Sequence, residues 1–62
     1  METETRILKI LGDHPEGLTV SEVSETAGVS RGSAAKKLKY LAYLGKIRRR
    51  QIGPAILNYA KK

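Results

Sequence analysis

Leu18-Thr19-Val20-Ser21-Glu22-Val23-Ser24-Glu25-Thr26-Ala27-Gly28-Val29-Ser30-Arg31 is the stretch on which the fold turns. Thr19 has the character of a helix N-cap, and Glu22 follows it at the spacing of a capping box. In that box each side chain satisfies a backbone N–H at the helix start. Val20, Val23 and Ala27 then lay one apolar face along a short helix over residues 20–27. Gly28 ends it, because glycine enters the left-handed conformation of a tight C-terminal turn without steric cost. Ser30 is a second N-cap, so a new helix starts almost as soon as the old one stops.

Helical character continues over residues 31–44, and Gly45 is the stop signal. At 100° per residue, Ala34, Leu38 and Leu41 make an apolar stripe, with Lys37 and Leu44 at one edge and Ala42 at the other. The opposite face holds Gly32, Ser33, Lys36, Lys39, Tyr40 and Tyr43. Beyond Gly45 the period changes. Residues 46–52 and 55–59 flank Gly53-Pro54 and read as two strands of a hairpin, with Arg48, Arg49 and Arg50 on the first. Towards the N-terminus, Ile7, Leu8, Ile10 and Leu11 recur at helical spacing and predict a helix over 3–11. Glu2 and Glu4 complement the dipole at its start, Gly12 is its expected stop, and Pro15 and Gly17 mark the loop. Gly17-Leu18-Thr19 has room for a very short extended piece.

The order is therefore helix, short extended piece, helix, tight turn, helix, hairpin. That is an α+β fold: a three-helix winged helix-turn-helix whose C-terminal two-stranded hairpin, over residues 46–60, is the wing. One domain covers residues 1–62. The expected core is aliphatic: Ile7, Leu8, Ile10, Leu11, Leu18, Val20, Val23, Val29, Leu38, Leu41, Ile47, Ile52, Ile56 and Leu57. A chain this short hides only about 60% of its unfolded surface, so modest stability is expected. The run from Leu18 to Val23, the Ala27-Gly28-Val29-Ser30-Arg31 turn, and Leu38, Leu41 and Leu44-Gly45-Lys46-Ile47 resemble winged helix-turn-helix regulators of the MarR-like, TrmB-like and IclR-like kind. The likeness runs over residues 5–60. It implies a role in transcription or another DNA transaction, with the third helix reading a groove and the wing lying on the backbone. A second likeness, to winged domains specific for left-handed duplex, fails on the residues that carry it. Ala35 and Lys39 stand where that family has Asn and Tyr, and the chain has no Trp.

Charge is segregated along the chain. Residues 1–30 carry six acids against Arg6 and Lys9; residues 31–62 carry ten bases and no acid, within a net charge of +6. A basic half of this kind calls for an anionic partner surface. With no Cys and a single His, His14, the chain offers neither a disulfide nor a zinc site, and no metal or other cofactor is expected. No apolar run approaches the ~20 residues that span a bilayer, so a cytoplasmic location without membrane contact is expected. His14 reads as a plain loop residue. No Ser/His/acid set and no Gly-rich phosphate loop is present, so an enzyme is not expected, nor is a small-molecule ligand.

Double-stranded DNA is the expected partner. Arg31, at the start of the third helix, can reach a phosphate or pair with guanine in bidentate fashion. Ser30, Gly32 and Ser33 leave the helix N-terminus open to close approach, where free N–H groups favour a phosphate. Lys36 and Lys39 can meet base edges or backbone, Ala35 a thymine methyl, and Tyr40 and Tyr43 phosphates. In the wing, Arg48 and Arg50 share one face and Arg49 takes the other. The residues expected to bind DNA are thus Ser30, Arg31, Ser33, Ala35, Lys36, Lys39, Tyr40, Arg48, Arg49 and Arg50. Lys37, bordering the core stripe, is expected to snorkel. A homodimer through helix 3–11, using Leu8 and extended by Leu44, would serve two half-sites. The alternative is a winged helix used for protein–protein contact in a larger assembly, which would need a strongly acidic partner.

Overall fold

A computed structural model describes residues 2–61. Helices α1 (Glu2–Asp13), α2 (Val20–Ala27) and α3 (Arg31–Tyr43) precede an antiparallel hairpin of β1 (Ile47–Ile52) and β2 (Ala55–Ala60). This is the expected α+β winged-helix arrangement. The α2 start carries the capping box: Glu22 N donates to Thr19 Oγ1 at 3.2 Å and Thr19 N to Glu22 Oε1 at 2.9 Å. Gly28, at φ 73°, closes α2, and both its N–H and that of Val29 donate to Ser24 O. The Arg6 guanidinium donates to Ala27 O at 3.1 Å, placing a cation at the negative end of the α2 dipole. At the other end of α3, Gly45 N reaches Ala42 O and Lys46 N reaches Leu41 O, the paired bonds of a Schellman closure.

Three expectations need correction. First, α1 does not stop at Gly12 but runs through it to Asp13. A glycine costs a helix about 1 kcal/mol relative to alanine and does not by itself break it. The helix ends before Pro15, whose ring pushes His14 out of the helical region. His14 to Gly17 then forms a turn, Gly17 N donating to His14 O at 2.9 Å. In that turn Glu16 lies 3.2 Å from His14 Nδ1, and a backbone N–H followed by His14 hold its carboxyl below the usual carboxylate range. Second, α3 ends at Tyr43, with Leu44 as its C-cap, one residue short of the expected 31–44.

Third, the core is shorter than the aliphatic count. Ile7, Leu11, Leu18, Val23, Ala34, Leu38, Leu41 and Ile47 form one buried cluster, with Leu8, Ile10, Val20 and Val29 half-buried against it. Ile52 and Ile56, expected inside, are 48% and 40% exposed. They flank the Gly53-Pro54 turn, at the end of the hairpin farthest from Ile47, where the core cluster has no member. Leu57 is half-buried. The short extended piece exists as an isolated bridge between Leu18 and Asn58, which adds a third, minimal strand beside β2. Lys37 does more than snorkel: its ammonium lies 3.5 Å from Glu4 Oε2 and ties α3 to α1.

Candidate nucleic-acid interface

The N-terminus of α3 is built by Ser30. Its hydroxyl accepts from Ser33 N at 3.1 Å and donates to Ser33 Oγ at 3.0 Å. Arg31, Gly32 and Ser33 are exposed in the first turn. A Cβ built on Gly32 would meet nothing within 4 Å, so the protein's own packing does not require a glycine there. Ala34, Leu38 and Leu41 are sealed in the core, which turns Lys36, Lys39, Tyr40 and Tyr43 outward, all exposed. Ala35 is half-buried at the margin of that outward face.

The wing register is Ile47↔Ala60, Arg48↔Tyr59, Arg49↔Asn58 and Arg50↔Leu57. Side chains alternate along a strand, so Ile47, Arg49, Asn58 and Ala60 share the inward face. Arg48 and Arg50 share the other face with Tyr59 and Leu57, and both arginines are exposed. An open cleft is lined by all three arginines with Tyr59 and Ala60 of the wing, and by Leu11, Gly12 and Pro15 at and just beyond the end of α1. Arg49 is half-buried, and its Nε donates to Asn58 Oδ1 at 3.0 Å. The three consecutive arginines thus divide into an exposed pair and a single anchored one, as strand alternation requires.

The side chains of Arg31, Lys36, Lys39, Arg48 and Arg50 make no hydrogen bond or ion pair with any described residue. Cations whose counter-charge is not supplied internally are available to an external anion. The acids lie elsewhere in the sequence: the last is Glu25, in α2. Asn58 belongs to no motif legible in the sequence, yet it is wholly buried and meets both Arg49 and Leu18. A polar residue between Leu57 and Tyr59 reads as surface until the hairpin register is known.

Three helices, a capped turn between the second and third, and a hairpin beside the third define a winged helix-turn-helix domain with a basic outer face. The family model of the IclR helix-turn-helix domain matches residues 5–51, and the chain belongs to that family. The IclR helix-turn-helix domain is a DNA-binding regulatory domain, so DNA is the partner class and transcription regulation the context. Comparison with curated proteins returned no match. Among the described residues no helix is long and apolar enough to cross a membrane.

Proposed function

We propose that α3 enters the major groove of double-stranded DNA while the wing arginines lie along the backbone. The observation that carries this is the outward face of α3, where Arg31, Lys36 and Lys39 are all exposed without internal partners. In a helix-turn-helix the N-terminal part of the second helix meets base edges. Arg31 in the first turn is suited to bidentate pairing with guanine or to a phosphate. Ser30, Ser33 and the open N–H groups around Gly32 receive a phosphate. Lys36 and Lys39 extend the contact along the groove, Ala35 offers a methyl to thymine, and Tyr40 donates to the backbone. Arg48 and Arg50 supply exposed guanidinium groups on the wing, and Arg49 supplies a third from the other face. Two chains paired through α1 and the 44%-exposed Leu44 would read two half-sites, which light scattering with a two-site duplex checks.

The test is fluorescence anisotropy of a labelled duplex at several salt concentrations. One domain touching about five phosphates gives a log–log slope near −4 to −5, at about −0.9 per phosphate. Replacing Lys36, Arg48 and Arg50 together by Ala should remove much of that slope. No binding at ~50 mM salt with tens of micromolar protein would overturn the reading and leave the protein–protein module as the explanation of the basic face.

A further inference from the structure

Asn58 is fully buried, and every polar group it owns is engaged. Its backbone N–H donates to Leu18 O at 2.8 Å and its carbonyl accepts from Leu18 N at 3.0 Å. The side-chain Nδ2 donates to the same Leu18 O at 2.9 Å, and Oδ1 accepts from Arg49 Nε at 3.0 Å. Leu18, Asn58 and Arg49 therefore lie in one row across the sheet, from the segment that leads into α2 to the exposed edge of the wing. An aliphatic side chain in this place would be buried without needing partners, whereas an amide is tolerated only when both its ends are paired. Both ends are paired here, and one of the partners is a cation.

The Nε bond matters for what remains of Arg49. A guanidinium is planar, with five N–H donors in a fixed fork. Once Nε–H is held, the plane is set, and the two Nη groups have no acceptor among the described residues. Those Nη groups are a fork of the kind that grips a phosphate through two parallel bonds. Arg48 and Arg50 have no such anchor. We propose that Asn58 is a positioning residue for DNA binding: it presents the free guanidinium edge of Arg49 to one backbone phosphate, and through Leu18 it ties that edge to the helix-turn-helix body. This rests on the reading of the domain as a duplex binder.

The experiment measures duplex affinity and its salt slope for the wild type, Arg49→Ala, Arg49→Lys, Asn58→Leu and the Arg49→Ala/Asn58→Leu double variant, with thermal melts alongside. Arg49→Ala should bind about tenfold more weakly and lower the salt slope by about 0.9, the signature of one lost phosphate contact. Asn58→Leu, folded, should bind several-fold more weakly, and the double variant no more weakly than Arg49→Ala alone, because both changes remove one interaction. Arg49→Lys keeps the charge but lacks the Nε–H and the fork, and should also bind several-fold more weakly. A folded Asn58→Leu that binds within twofold of wild type overturns the proposal, as does an Asn58→Leu loss that adds fully to that of Arg49→Ala. If Asn58→Leu does not fold, Arg49→Lys decides: wild-type affinity would mean that charge alone suffices and no fixed guanidinium is needed. Normal binding by Arg49→Ala would remove Arg49 from the interface while leaving duplex binding intact. A wild-type protein that ignores duplex DNA would overturn the underlying reading instead.

Discussion

Gly17 sits under the ring of Tyr59, and a Cβ built there would lie 2.6 Å from Tyr59 Cε2. Its φ of 89° also lies where a side chain is strained, so two independent penalties act at one residue. Gly17→Ala should destabilise the domain by about 2–3 kcal/mol, read as a fall in melting temperature of roughly 10 °C or more in a chain of this size. The sequence marks Gly17 only as part of a loop; its contact with Tyr59 joins residues that are far apart in the chain. Asn58 has the same character. Its burial follows from pairing with Leu18 on one side and Arg49 on the other, and neither partner is a neighbour in sequence. Ile52 and Ile56 show the converse, since hydrophobic side chains alone do not say whether a strand position is backed by a helix. Replacing both by Thr should change thermal stability by less than about 1 kcal/mol, because little buried area is lost at either exposed site.

The helix-turn-helix element is held by local chemistry that can be removed one piece at a time. Thr19→Ala deletes one half of the α2 capping box and should cost about 1 kcal/mol by thermal melting. Gly32 in the first turn of α3 gives a test in which stability and function move in opposite directions. With open space at its Cβ position, Gly32→Ala should raise stability by up to about 1 kcal/mol through helix propensity. If the bare backbone serves close approach to a phosphate, the same change should weaken duplex binding several-fold, as anisotropy would register. A more stable variant with unchanged affinity would show that Gly32 has no part in the interface. The outward lysines of α3 were legible in the sequence because a 100° step places them opposite Ala34, Leu38 and Leu41, and those three are the residues buried. The wing arginines were legible in their alternation but not in their surroundings. Period-2 geometry separates Arg49 from Arg48 and Arg50, yet it is silent on the amide that waits for Arg49.

At the scale of the whole molecule, one small cluster holds every element together, and each helix and β1 contributes to it. Leu38 is a fully buried member of it, so Leu38→Ala should cost about 2–5 kcal/mol. A domain of this size has modest stability to spare, and the variant should be largely unfolded at 37 °C by circular dichroism. Charge is organised on the same scale. Among the described residues, the bases after residue 30 fall in α3, the hairpin and the segments at their ends, while the acids fall on α1, the turn after it and α2. Duplex affinity should accordingly fall steeply as salt is raised, by counterion release, more than the stability of a fold whose core is apolar.

The sequence by itself determined the order of the elements, the N-caps of α2 and α3, the glycine closures at Gly28 and Gly45, the inner stripe of α3 and the separation of acidic from basic halves. All of these rest on interactions within a few residues or on periodicity along one element, which the chain carries wherever it lies in space. Tertiary structure alone decided the depth of the core along the wing, the burial of Asn58, the packing of Tyr59 on Gly17 and the Lys37–Glu4 tie between α3 and α1. Each of those depends on which distant segments meet. That is set by sheet register and helix packing, where a shift of one residue would exchange the inward and outward faces of a strand.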